Sequence, residues 1–408
     1  MSGGGERGTA RLVAAVGVTL AVQSLTAMAL AVPSLLAPVA AGEFDVAPTA
    51  VGRWVGFSYT VAMFAGLAGG TFVGRYGPVR MLQVAVLGVA LGLAIGAGAH
   101  LALLLLCGAL LGAAHGLVNP ASSAILAVAS PARIRSMVFS IKQTGVPLGG
   151  AVAGILVPGL LLWMSWQAAV LALALGALAL LAAVAPYRRV YDSTRRAERL
   201  HILALVAPVA EVWANRPILE LAVVSGVYSS IQITFVTYLV SYLKLELGYS
   251  LLAAGLFFSA AQISGALGRV LWGTVADHVF KPRSVLAALG LVMALCGFAV
   301  ASFTAAWSAA AVLIVCVLYG ATAVGWNGVF LAEVARLAPE GRVAFLTGGT
   351  QFFTFAGVLI GPPLFGAIVS LTGTYGAGFV VTAVLPLFVV VVILARGRTQ
   401  EASAGSRP

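Results

Sequence analysis

A few polar side chains stand inside long apolar runs of this 408-residue sequence, and their types suggest what chemistry they could do. Arg269 lies eight residues before Asp277, so about 12 Å deeper along a helix at ~1.5 Å per residue. A guanidinium presents a planar fork of donors that matches a carboxylate, which makes anion recognition one reading. A structural ion pair and snorkelling to the nearer interface are the others. Lys142, in Ser140-Ile-Lys-Gln-Thr-Gly-Val-Pro-Leu-Gly149, is seven residues past Arg135, roughly 10 Å inward. It could be a second anion contact or could also snorkel. His115 is the one side chain in mid-run that titrates near neutrality, which makes it the proton carrier if flux is proton-coupled. His115 and Asn119 are four apart and share a helical face, as do Tyr228 and Gln232. Gln23, Gln143, Asn327 and Gln351 complete the polar set, with Trp326 beside Asn327 as a cap for an apolar group or simply as packing. Each buried amide needs a partner in protein, water or ligand. Interhelical hydrogen bonds that hold the bundle are the plain alternative.

The elements that must position these residues follow from composition. Hydrophobic residues make up 61% of the chain and charged residues 9%, with a mean hydropathy of +1.06. A soluble domain carries roughly 25% charged residues, so lipid is the solvent for most of this surface. Apolar runs of about 20 residues span a bilayer as helices. Their continuity, without alternating polar positions, favours helices over a barrel. Twelve spans are expected, at about 12–39, 51–72, 81–99, 101–128, 138–162, 166–185, 217–243, 249–272, 285–303, 306–334, 346–370 and 376–395. Pro147 marks a bend in the fifth. Residues 1–11 form a polar lead, 186–216 a linker rich in arginine and 396–408 a polar tail. Within the linker, 202–214 could lie as an interfacial helix.

The net charge of +11 is a matter of topology. If residues 1–11 are cytoplasmic, only Arg53 and Lys244 of the 23 cations fall in the outer half. That bias places both termini in the cytoplasm and speaks against nucleic-acid binding. Cys107, Cys296 and Cys316 lie in apolar runs and read as small hydrophobes, with no disulfide or metal spacing. No phosphate-cradling loop is present, so no nucleotide or other cofactor is expected, and no nucleophile with a base suggests an enzyme.

The chain repeats itself. Gly70-Thr-Phe-Val-Gly-Arg-Tyr-Gly-Pro-Val-Arg80 and Gly273-Thr-Val-Ala-Asp-His-Val-Phe-Lys-Pro-Arg283 are offset by 203. Asn119 and Asn327 differ by 208, as do Pro131 and Pro339, and Gln143 and Gln351; Gln23 and Gln232 differ by 209. Both basic turns resemble the cytoplasmic loop signature of the major facilitator superfamily, between spans 2 and 3 and again between spans 8 and 9. The resemblance covers nearly the whole chain and implies a twelve-helix fold of two pseudo-symmetric six-helix halves, 12–185 and 217–395, working by alternating access.

Several roles rest on that resemblance. It implies that Gly70, Arg75, Gly77 and Arg80, with Gly273, Asp277 and Arg283, belong to gating loops; their other reading is as topology anchors. The first copy departs from the family pattern, with Gly74 where an acid is usual, while the second keeps Asp277. Spans 1, 4, 7 and 10 line the central cavity in this superfamily, which makes Gln23, His115, Asn119, Tyr228, Gln232, Trp326 and Asn327 cavity residues. Gly268-Arg269 with Trp272-Gly273 is similar to the eighth helix of monocarboxylate and oxalate/formate-type transporters, where the arginine meets a substrate carboxylate. The Lys142-Gln-Thr-Gly-Val-Pro run resembles bacterial members near the cyanate permeases. The expectation is therefore a multi-pass inner-membrane secondary transporter for a small organic anion. Efflux of apolar drugs or metabolites is the alternative. Its partners are the bilayer, a small molecule and, if it is proton-coupled, protons.

Overall fold

The computed structural model describes residues 3–131, 134–192, 203–339 and 342–405. Sixteen α-helices, a few short 3₁₀ turns and no strand occur among them. Twelve are long and apolar enough to cross a membrane, counting helices that continue through a break as one. The first six spans are α1 (Gly3–Ala40), α2 (Val51–Tyr76), α3 (Pro78–Gly96), α4 (Leu101–Ala129), the broken pair α5 (Arg135–Gln143) and α6 (Gly145–Leu160), and α7 (Trp166–Val184). The short α8 (Arg188–Tyr191) and α9 (Leu203–Ala214) follow. The last six are α10 (Arg216–Leu245), α11 (Leu251–His278), α12 (Pro282–Ala301), the broken pair α13 (Ala309–Ala323) and α14 (Asn327–Leu337), α15 (Val343–Thr372) and α16 (Tyr375–Gly405). Arg195, Arg196 and Arg199 of the linker lie outside the described residues.

The chain forms two compact units, residues 1–205 with 251–259, and residues 206–250 with 260–408. Within the first, α1 packs on α6, α2 on α4 and α3 on α7. Within the second, α10 packs on α15 and α12 on α16. These are the same pairings, span 1 on 5 and 7 on 11, span 3 on 6 and 9 on 12, so the internal repeat is a repeat of packing. One crossing shows it at atomic detail. A Cβ on Gly112 of α4 would run into the carbonyl of Ser58 on α2, and one on Gly320 of α13 would run into the carbonyl of Ala261 on α11. The glycines are 208 apart and the carbonyls 203 apart, the two offsets of the sequence repeat. Without a hydrophobic drive between helices in lipid, such small residues let backbones approach and gain dispersion contact.

Both helix breaks have local causes. Pro147 has no N–H to give the carbonyl of Gln143, four residues back, and its ring crowds that carbonyl. The helix accordingly stops at Gln143 and restarts at Gly145, so the expected bend lies three residues ahead of the proline itself. In the tenth span the run expected as one helix is interrupted at Val324–Trp326. There Gly325 lies in a tight turn over α11, where a Cβ would come within 3.0 Å of Trp272 Cδ1 and 3.1 Å of the Gly268 carbonyl carbon. The α9 segment, expected at an interface, sets Val212 into an apolar cluster with Ile218, Ala222 and Leu346 of the second unit. Arg342 pairs with Glu211 beside it.

Candidate functional site

In the second unit the site is built on the broken tenth span. A break in an apolar span frees backbone carbonyls that lipid cannot satisfy, so they must be met from within the protein. Two side chains of α11 do so. Arg269 Nε donates to the Val324 carbonyl at 3.1 Å, and Trp272 Nε1 donates to the Ala321 carbonyl at 2.7 Å. Gly268 makes the approach feasible, because a Cβ there would strike the Ala321 carbonyl oxygen. On the other side of the break, Gln232 Oε1 of α10 accepts from Trp326 Nε1 at 3.0 Å and Asn327 Nδ2 at 3.2 Å. Tyr228, one turn earlier, meets the Trp326 ring edge-on at 5.7 Å and donates to the Leu286 carbonyl at 2.6 Å. Gly328, next in sequence, abuts the Arg269 carbonyl. Thus Tyr228, Gln232, Arg269, Trp326 and Asn327 gather at one interruption of the fold. Gln351 is half-buried on α15.

In the first unit a second group of polar residues lies beside the break between α5 and α6. Lys142, the next-to-last residue of α5, is 2% exposed and its Nζ donates to Asn119 Oδ1 on α4. Its burial removes the snorkelling reading left open by sequence. Gln143, beside it, is half-buried. His115, one turn before Asn119, is 7% exposed and meets Tyr59 edge-on, with ring centroids 5.7 Å apart. Its Nδ1 has no hydrogen-bond partner among the described residues. Gln23 of α1 packs against Gly145, three residues from Lys142, and is fully buried. Neither its Oε1 nor its Nε2 finds a partner among the described residues. A buried amide without partners is costly and marks a place where water or a ligand belongs.

The two loop signatures are held differently. Arg283 Nε lies 3.4 Å from Glu333 Oε1 of α14, and its Nη1 lies 3.7 Å from Glu220 of α10. Glu333 is fully buried and also receives Arg336 in a two-pronged contact at 2.7 Å on each oxygen. Glu220 thus brings a second acid to Arg283. In the first loop the acid comes from outside the motif. Asp192, at the end of α8, accepts the amide hydrogens of Val79 and Arg80 at the start of α3. It also lies 3.8 Å from Arg188. Gly77, with φ +98°, leaves room for it: a Cβ there would come within 2.5 Å of the Asp192 carboxyl carbon. Sequence reasoning passed over Asp192, and its one signal is an acid set within an arginine-rich stretch. Arg75 and Asp277 are exposed, and Gly70 and Gly273 have open space around them. Among the described residues no three metal-binding side chains come together.

Comparison with known proteins places this geometry. The family model of the major facilitator superfamily matches residues 19–353. Monocarboxylate transporter 13 of Rattus norvegicus is 29% identical over 250 residues, 60% of this chain and 56% of that protein. The hexuronate transporter of Bacillus subtilis (strain 168) is 27% identical over 284 residues, 65% of each. The matched regions therefore span about 56% to 65% of those relatives' lengths. The solved structure of a bacterial homologue of the human lysosomal transporter Spinster superposes with a TM-score of 0.79 at 14% identity, covering 95% of this chain and 97% of that one. A POT family transporter in complex with 5-aminolevulinic acid gives 0.77 at 12% identity, covering 93% and 95%. At those identities the likeness concerns fold. Twelve apolar helices in two repeated units, the paired loop signatures and a family match over most of the sequence agree: the chain belongs to the major facilitator superfamily.

Proposed function

We propose that the protein is a secondary transporter, not an enzyme, that works by alternating access and carries a small organic anion bearing a carboxylate. The observation that carries this reading is Arg269, anchored through Nε at the break of the tenth span. A guanidinium within an apolar span costs enough that it is kept for a task. Broken helices are where transporters of this kind bind their substrates. Gln232, Trp326 and Asn327 surround the same break and would orient the remainder of the substrate. Lys142 is a second cation for the anion, with His115, Gln23, Gln143 and Asn119 as its polar company in the first unit, and Gln351 is a further polar residue of the second. The names of two relatives, for monocarboxylates and a hexuronate, support an organic anion. The arginine-rich connections support an inner-membrane orientation with both termini in the cytoplasm, and the loop signatures support gating through Arg283 and Arg80.

The test is uptake of labelled monocarboxylates and hexuronates into proteoliposomes. Arg269→Ala removes a charge-assisted contact worth about 1.5–3 kcal/mol, so apparent affinity should fall roughly 10- to 100-fold. Arg269→Lys should restore part of it. Normal transport by Arg269→Ala would refute the anion assignment. An imposed pH gradient that leaves flux unchanged would remove His115 as a proton carrier.

A further inference from the structure

The first unit also contains a cavity of about 320 Å³ at the end where the α1–α2, α3–α4 and α6–α7 connections gather. Its wall includes Val32, Leu36, Trp54, Leu93, Trp166 and Val170. Both indole N–H groups of the wall are already engaged. Trp54 Nε1 donates to the Leu104 carbonyl at 2.8 Å, and Trp166 Nε1 donates to Glu43 Oε1 at 2.8 Å. Glu43 also accepts from Gln167 Nε2 at 2.9 Å. One charged residue lines the space, Arg53, and it is exposed. No ion pair engages it among the described residues. It is also the sole lysine or arginine at this end of the unit, because the three connections that meet there contain neither. Leu101 and Leu105, 49% and 46% exposed, form an apolar edge that opens the cavity sideways.

We propose that this cavity holds one acyl chain of an anionic phospholipid, with the lipid phosphate on Arg53. An apolar wall with an apolar edge suits an extended hydrocarbon chain. An apolar space of this size left empty forfeits dispersion contact along its whole wall, and the surrounding solvent consists of acyl chains. The lone cation selects the head group, since a phosphate accepts several guanidinium hydrogens where a zwitterionic head offsets its own charge. The wall offers nothing else polar, so a compact hydrophilic solute has no reason to enter. This site is separate from the polar residues at the two helix breaks and does not depend on their role.

Native mass spectrometry of the full-length protein, delipidated and then offered phosphatidylglycerol, phosphatidylcholine and dodecanoate, tests it. Wild type should retain one phosphatidylglycerol in preference to phosphatidylcholine. Arg53→Gln should lose about fivefold of that preference, and Arg53→Lys should keep it. Ala37→Phe, which fills the cavity, should remove the tightly held lipid altogether while leaving annular lipid. Gel filtration of each variant separates a lost site from a misfolded chain. Equal retention of the two phospholipids, an unchanged preference in Arg53→Gln, or dodecanoate held where phosphatidylglycerol fails to compete would each overturn the proposal.

Discussion

The Asp192 carboxylate accepts the Val79 amide hydrogen at 2.8 Å across 113 residues of chain. With Arg80 N–H at 3.2 Å as a second donor, it caps α3 from a distance. The first residues of a helix leave amide hydrogens without partners and carry the positive end of its dipole, so a carboxylate is well placed there. Among the described residues no side chain caps α12 in this way; in the second half the arginine side chain, Arg283, is held by Glu333 instead. The reason is visible in the repeat. Subtracting the 208-residue offset from Glu333 gives Ile125, which cannot hold Arg80. The two loops therefore solve one problem with different acids.

Asp192→Ala should lower the thermal midpoint of the purified protein, with a cost of about 1–2 kcal/mol for a lost cap. Gly77→Ala should cost more, because a positive φ strains the new residue and its Cβ meets the carboxylate. Since part of that cost is the collision, the double variant should be less damaged than the two single effects added. Strict additivity in a thermal-shift series would show that Gly77 and Asp192 do not act on one another.

Glu333 and Arg336 should respond very unequally to alanine. Glu333 is fully buried between two guanidinium groups, whereas the Arg336 side chain is 62% exposed. Removing the buried acid leaves Arg283 with Glu220 alone and Arg336 with no acid, and takes away several charge-assisted hydrogen bonds, a cost of about 1–3 kcal/mol. Removing the exposed arginine costs about 0–1 kcal/mol, because water takes its place. Denaturant midpoints measured in the same detergent would settle the order, and a larger loss for Arg336→Ala would contradict this account of the network.

Gln232→Leu leaves the Trp326 indole N–H, which is fully buried, without its acceptor, and Asn327 without one of its own. An orphaned buried donor costs about 1–3 kcal/mol. Trp326→Phe deletes that donor, so Gln232→Leu/Trp326→Phe should recover part of the lost stability. A thermal midpoint in the double variant below that of Gln232→Leu would mean that the indole hydrogen bond is not what the glutamine supplies.

How far the sequence disclosed this architecture depends on what each feature needs. Apolar runs sufficed for twelve spans, because lipid imposes length and hydropathy on every helix. The bend near Pro147 was legible because a missing N–H acts four residues away. The break at Val324–Trp326 was not, since no proline marks it; it depends on Gly325 lying over Gly268 and Trp272, a contact that an apolar run does not encode. Arg269 was found by its cost in lipid, but its anchor, a backbone carbonyl 55 residues away, has no signature in residue type. Asp192 was missed for the same reason, as its partners are main-chain amides.

Lys142 separates stability from function most sharply. Burying an ammonium is expensive, and the geometry gives it the neutral Asn119 oxygen. Lys142→Met keeps the length and apolar stem of the side chain while removing the charge. The desolvation cost disappears with it, so Lys142→Met/Asn119→Leu should be at least as stable as wild type in a thermal-shift assay. Transport of the anionic substrate should nevertheless fall, because the second cation is gone, and Lys142→Arg should retain more of it. If the double variant carried the anion at the wild-type rate, Lys142 would have no part in binding. If it unfolded several degrees earlier with transport intact per folded molecule, the lysine would be a structural tie between α4 and α5.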